Sequence, residues 1–190
     1  MKYPDVKINP IVKYLLIPRA IWLMWKYRLG SWLLKKRNKP MPFILHPDPV
    51  LSRVADPIDF SKDTPKELYA IVRKMGAALE NAGYGQKLGL AAPQICISKR
   101  ICIVQGVVMV NPEWTPSRAP QEVSIEGCYS VPHRTFKVMR DSYGWAKWVS
   151  IDGVPREFKL NGTKAIVFQH ELDHLNGKCC ADVGTEITKN

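Results

Sequence analysis

The segment from Gln169 to His174 reads Gln-His-Glu-Leu-Asp-His and contains a His-Glu-x-x-His pattern. Residues four apart lie on one face of a helix, so the rings of His170 and His174 can both reach one metal ion. Glu171 would then lie beside the ion, where a carboxylate can move the proton of the attacking water during hydrolysis. The spacing therefore predicts a metal-dependent hydrolase, and the alternative is a core helix with two incidental histidines.

A catalytic metal site of this kind usually has three protein ligands and one open position. Downstream of the helix the chain holds no further His and a single Glu, Glu186, which favours an upstream third ligand. His46 and His133 each lie beside a proline and are interpreted as exposed turn residues. Cys128 lies in the sequence Glu-Gly-Cys-Tyr-Ser, and a metal would deprotonate its thiol. The alternative for Cys128 is a small buried apolar residue.

The third notable segment, at positions 89–94, reads Gly-Leu-Ala-Ala-Pro-Gln. Its small residues allow close backbone approach, and the amide of Gln94 can donate a hydrogen bond. A tight turn before the next strand is the alternative interpretation.

In this order, the three segments resemble those of bacterial-type peptide deformylases, which carry Gly-x-Gly-Leu-Ala-Ala-x-Gln, Glu-Gly-Cys-x-Ser and Gln-His-Glu-x-Asp-His. The resemblance covers about residues 43–182. It implies an enzyme that removes the N-formyl group from the methionine of nascent polypeptides and releases formate. Two positions depart from the family pattern, since Lys87 replaces the first Gly and Tyr129 replaces the usual Leu.

The resemblance also implies a role for each site residue. The metal ligands would be Cys128, His170 and His174; Glu171 would be the acid/base; and Gln94 with the backbone N–H of Tyr129 would stabilise the oxyanion. An arginine at the position of Arg140 pairs with the motif aspartate, here Asp173. We further expect substrate contacts from Leu88, Gly89, Leu90, Ile166 and Val167, with the peptide added as a strand beside the first three.

The resemblance implies Fe²⁺ as the metal, with Zn²⁺, Ni²⁺ and Co²⁺ as possible substitutes, whereas a Cys-His-His donor set by itself suits Zn²⁺. One rival hypothesis is a metal endopeptidase, which would need a downstream ligand. Another is an inactive binding module that uses the basic extension to hold a membrane or RNA.

The surrounding pattern predicts an α+β fold, with mostly antiparallel sheets packed around a central helix that carries His-Glu-x-x-His. Residues 61–64 can cap a helix that begins at Pro65 and carries an apolar stripe. Strands are predicted at 101–104 and 107–110, with Asn111-Pro112 ending the second, and at 135–140, 145–151 and 156–160. Asp152-Gly153 predicts a hairpin turn, and Asn176-Gly177 predicts the end of the site helix.

The charge of +11 is concentrated at the amino-terminal end, where positions 1–41 contain ten Lys/Arg and one Asp. We therefore predict a basic, aromatic-rich extension at 1–41 and a catalytic domain at 42–190. The extension is interpreted as a disordered tail, a membrane-surface or ribosome contact, or an organellar targeting peptide. The five cysteines favour a reducing compartment, so we expect a cytoplasmic protein, with an organellar or membrane-peripheral location as the alternative and no specific DNA partner. The chain ends 13 residues after Gly177, shorter than bacterial members that continue into a C-terminal helix.

Overall fold

The structure is a computed structural model, and it describes residues 43–82 and 89–188. The basic extension, Lys87 and Leu88 lie outside these ranges, so the hypotheses about them remain predictions. Within the described ranges, no helix has both the length and the apolar character needed to cross a membrane.

Two antiparallel sheets and three helices are found in the described part of the chain. The first sheet has the strand order β1-β2-β3-β6-β7 and the second has the order β4-β5-β8. This arrangement confirms the predicted α+β class. The strands are β1 (Gly89–Ala91), β2 (Ile101–Val104), β3 (Val107–Pro116), β4 (Gln121–Cys128), β5 (Val131–Asp141), β6 (Tyr143–Val149), β7 (Pro155–Asn161) and β8 (Thr185–Glu186), and the helices are α1 (Pro65–Asn81), α2 (Gly162–Leu175) and α3 (Cys180–Val183).

Helix α1 begins where the sequence predicts, because Thr64 and Glu67 form a reciprocal cap. The Thr64 hydroxyl accepts from Glu67 N at 3.4 Å, and the Glu67 carboxylate accepts from Thr64 N at 2.8 Å. Its apolar stripe packs on the first sheet, burying side chains that include Leu68, Met75 and Leu79. The predicted stripe is therefore a core face.

The hairpins are also where the sequence places them, with one difference in β3. Gln105 and Gly106 take positive φ angles of 47° and 83°, as a tight β2–β3 turn requires. Strand β3 does not end at Asn111-Pro112 but continues to Pro116. Asn111 adopts a φ of 49°, and the register of pairing with β6 shifts between Val110 and Glu113. This local irregularity accommodates Pro112 within the strand.

Helix α2 contacts strands of both sheets and presents its apolar side chains to the core. Phe168 and Leu175 are fully buried there. The helix ends at Leu175, and Gly177 follows with a φ of 72°, which confirms the predicted stop. A Cβ at Gly177 would also lie only 2.7 Å from Ser52 O. This packing fixes the His-Glu-x-x-His segment between the sheets.

Candidate metal centre

Helix α2 brings His170 and His174 together, and the end of β4 adds Cys128. The two imidazole rings lie 5.0 Å apart between centroids. Cys128 Sγ lies 3.2 Å from His174 Nε2, and one donor atom from each of the three residues lies within 4.8 Å of the others. A sulfur and two nitrogens therefore lie close together, as the family resemblance implies for three metal ligands.

Glu171 lies beside this point in an enclosed position. Its side chain is buried, and Glu171 Oε2 and His174 Nδ1 make no hydrogen bond within the described part of the chain. Burial raises the pKa of Glu171 to about 7, although the charge of His170 opposes the rise. A carboxylate with a pKa near neutrality can both accept and return a proton.

Glu126 is a site residue that the sequence reasoning did not assign. Its Oε2 accepts from His170 Nδ1 at 2.9 Å, which leaves His170 Nε2 for a metal. Burial alone would raise the pKa of Glu126, but hydrogen bonds from Arg140 and His170 outweigh it and lower the value to about 2. The clue in the sequence is alternation, because Glu126 and Cys128 are two apart at the end of one strand.

Arg140 joins this carboxylate to the site helix. Its Nε and Nη2 donate to the two oxygens of Glu126 at 2.8 and 2.9 Å, and Nη1 donates to Asp173 Oδ2 at 2.6 Å. The predicted contact between Arg140 and Asp173 is confirmed. Gln169 also holds the helix to β5. Its Nε2 donates to Asp141 O at 2.9 Å, and its Oε1 accepts from Asp141 N at 3.0 Å. These bonds orient the ligands on α2.

Replacing Glu126 by Gln should destabilise the protein by about 3–5 kcal/mol at pH 7, because the buried Arg140 guanidinium loses its bidentate partner. The pKa of Glu126 is lower in the folded protein, about 2, than its ordinary 4.5. Its stabilisation is therefore complete above pH 4.5 and is lost as the pH falls toward 2, by about 3 kcal/mol in total. Urea unfolding at a series of pH values measures both effects.

Glu186→Gln is the matched control, since Glu186 also forms a two-bond pair with an arginine, Arg134, but at the surface. That substitution should cost far less than Glu126→Gln, because water screens an exposed ion pair. Equal losses for Glu126→Gln and Glu186→Gln would contradict the role assigned to the buried pair.

The thiol of Cys128 is surrounded by hydrogen-bonding groups. Gln94 Nε2 lies 3.4 Å from Cys128 Sγ and donates to Ser130 Oγ at 3.3 Å, while Gln94 Oε1 accepts from Ala91 N at 2.9 Å. Contact with the Cys180 thiol, together with burial, raises the pKa of Cys128 above its usual range. A bound cation would instead lower the pKa of the Cys128 thiol, because it binds the thiolate form.

Four of the five predicted substrate residues lie in the described part of the chain, and Leu88 lies outside it. The Leu90 side chain is fully buried in the core, so only its backbone remains to meet a peptide. β1 pairs with β2 alone among the described strands. Ile166 and Val167 are half-buried on α2, and Val167 packs against the core. The Tyr129 ring stacks on Phe43 at 4.7 Å between centroids.

The donor set fits a divalent transition metal. One thiol and two imidazoles, with a buried carboxylate alongside, match the protein ligands of an open catalytic site. The other residues weighed from the sequence do not join it: His133 is exposed on β5, and Glu186 is held by Arg134. No downstream ligand therefore takes part among the described residues.

Comparison with known proteins supports the family resemblance that the three sequence segments indicate. The family model for polypeptide deformylase matches residues 40–190. A peptide deformylase from Halothermothrix orenii is 36% identical over 136 residues, covering 68% of this chain and 84% of the relative. An inhibitor-bound Plasmodium falciparum peptide deformylase structure has a TM-score of 0.68 and 34% identity, covering 75% of this chain and 88% of that one.

A structure of class I type b peptide deformylase from Acinetobacter baumannii with Met-Ala-Ser bound has a TM-score of 0.70 and 30% identity. The alignment covers 76% of this chain and 98% of that one. Fold, ordered motifs and family match agree. The chain therefore belongs to the peptide deformylase family, metal-dependent hydrolases that remove the N-formyl group from the N-terminal methionine of nascent polypeptides.

Proposed function

We propose that this chain carries out the family reaction with Cys128, His170 and His174 as metal ligands and Glu171 as the acid/base. The observation that carries the proposal is the convergence of those three donors beside a buried carboxylate whose Oε2 makes no hydrogen bond among the described residues. A bound divalent cation would supply Lewis acidity and lower the pKa of water. We propose Fe²⁺ as the native ion.

Residues of the chain would carry out proton transfer and stabilise the oxyanion. Glu171 takes a proton from the attacking water and returns it to the leaving amine, so that formate and a free N-terminus are produced. The Gln94 amide and the backbone N–H of Tyr129 donate to the oxygen that gains negative charge. One such donor contributes about 3 kcal/mol in comparable sites. In support, Gln94 is buried and is held beside Cys128 by its bond to Ala91.

The substrate would bind along β1. Its peptide backbone would pair with Gly89 and Leu90, and with Leu88 before them, while the methionine side chain lies against Ile166 and Val167. Formyl carries only hydrogen on its carbonyl carbon, so a narrow site accepts it and excludes larger acyl groups. The Met-Ala-Ser bound to the Acinetobacter relative is the product of deformylating formyl-Met-Ala-Ser.

The direct test is release of formate from formyl-Met-Ala-Ser by protein loaded with Fe²⁺ in the absence of air. We expect formate and intact Met-Ala-Ser, with no cleavage of an unformylated peptide. Cleavage of internal peptide bonds would instead support a metal endopeptidase. Full activity with Zn²⁺ alone would contradict the iron assignment.

Gly89→Ala should lower kcat by about 10²-fold without changing the metal content. An added Cβ would overlap Glu171 Oε1 and lie 2.6 Å from Glu171 Cγ, so the carboxylate must move. A displacement of about 1 Å at a reacting group costs roughly this factor. Steady-state kinetics and metal analysis measure the two quantities.

Gly76→Ala is the control, because a Cβ at Gly76 in α1 meets nothing within 4 Å. It should leave kcat unchanged and stabilise the helix by about 1 kcal/mol or less. If Gly89→Ala kept the parent kcat, Glu171 would not need its present position.

The basic extension at 1–41 would contact a partner other than the substrate. Ten basic residues and three tryptophans suit an anionic membrane surface or ribosomal RNA. Binding of anionic vesicles and of ribosomes by the full chain and by a chain lacking 1–41 separates the two partners. Equal binding by both proteins would contradict a role for the extension.

A further inference from the structure

A second group of metal-binding side chains lies outside the catalytic site. His46 precedes a helical turn at Pro49–Ser52, Cys179 is the N-cap of α3, and Asp182 lies within α3. Donor atoms of all three lie within 4.8 Å of one another. We propose that these residues bind a second divalent cation of the zinc type, with solvent completing its coordination.

Local hydrogen bonds hold the Asp182 carboxylate and the main chain of His46 in place. Asp182 Oδ2 accepts from Cys179 N at 2.7 Å, and Oδ1 faces His46 Nε2 at 3.2 Å. The backbone N of His46 donates to Ser130 O at 2.8 Å, which fixes the main chain that carries the imidazole. Support of this kind outside the ligands is typical of built metal sites.

The geometry parallels that of the catalytic centre. There, Cys128 Sγ and His174 Nε2 are 3.2 Å apart, and here His46 Nε2 and Asp182 Oδ1 are separated by the same distance. Ligands of tetrahedral zinc, at about 2.0–2.3 Å from the ion, lie roughly 3.3–3.6 Å from one another. Small side-chain rotations would therefore admit an ion.

The donor types and their exposure select the cation. A sulfur, an imidazole nitrogen and a carboxylate oxygen suit Zn²⁺, whereas Mg²⁺ and Ca²⁺ prefer oxygen ligands alone. The side chains of His46 and Asp182 are 22% and 42% exposed, so an ion and water can reach the site. Cys179 is buried and would form the inner side of the site. The alternative is a surface His-Asp pair beside a packing cysteine.

This second ion goes beyond the proposed function, because none of its ligands belongs to the catalytic group. It would join the segment before the turn at Pro49–Ser52 to α3. His46 bonds the backbone of Ser130, whose hydroxyl accepts from Gln94, so the ion would also brace one side of the catalytic centre.

Zinc stoichiometry at equilibrium tests the proposal. Dialysis against Zn²⁺ followed by metal analysis should give two ions for the parent and one for Cys179→Ser or His46→Gln. Cys96→Ser and His133→Gln are matched controls at exposed positions and should keep two. One ion in the parent, or two in both Cys179→Ser and His46→Gln, would overturn the proposal.

Cobalt absorption tests the sulfur ligand independently of activity. In a Cys128→Ser background the catalytic centre has lost its thiolate, so a thiolate-to-Co²⁺ charge-transfer band must come from another cysteine. We expect the band to persist there and to disappear when Cys179→Ser is added, with circular dichroism confirming the fold of both variants. A band that survives in the double variant, or is absent before it, would overturn the assignment. The formate assay on the Cys179→Ser single variant reports separately on the proposed function.

Discussion

Glu171→Gln should lower kcat for formate release by about 10³-fold while the metal content stays that of the parent. The amide keeps the shape of the side chain but cannot accept the proton of the attacking water. Because Glu171 is not among the three converging donors, the metal should remain bound. Steady-state formate release and metal analysis on the same preparation measure both quantities.

Glu157→Gln is the matched control for this substitution. Glu157 lies on β7, half-exposed, with its carboxylate 3.5 Å from Lys147 Nζ. Its replacement should leave both kcat and metal content unchanged. A Glu171→Gln protein as active as the parent would contradict the assignment of Glu171 as the acid/base.

Cys128→Ser should remove bound Fe²⁺ and, with it, formate release to below detection. A serine hydroxyl stays protonated near neutral pH and is a poor ligand for a transition metal, whereas the thiol is deprotonated on binding. Loss of residues that merely orient ligands already weakens metal binding by about 10–100-fold, so loss of a ligand should cost more. Titration with one equivalent of Fe²⁺ under anaerobic conditions measures the affinity.

Cys96→Ser is the control for the cysteine substitution, since Cys96 is exposed after the helical turn at Ala92–Ile95. It should bind one equivalent of Fe²⁺ as the parent does. Retention of tight Fe²⁺ binding by Cys128→Ser would show that the sulfur is not a ligand.

Local sequence periodicity was sufficient for the two histidines and for most of the secondary structure. Spacing of four on a helix places His170 and His174 together. Cys128 is different, because it lies 42 residues before His170 and at the end of β4 in the second sheet. Only the ordered motifs, through their resemblance to a family, single it out from four other cysteines.

The features that the sequence reasoning missed depend on long-range packing. Glu126 and Arg140 are 14 residues apart on neighbouring strands, and their pairing needs the β4–β5 register. Asn111 resembles a strand end, but its positive φ lets the strand continue.

The most direct test of the central claim is an anomalous-scattering crystal structure of protein loaded with Fe²⁺, recorded on both sides of the iron edge. The predicted result is one iron peak at about 2.3 Å from Cys128 Sγ and about 2.1 Å from a ring nitrogen of each of His170 and His174. A Cys128 side chain directed away from the iron peak, or no peak between the two imidazoles, would contradict the account.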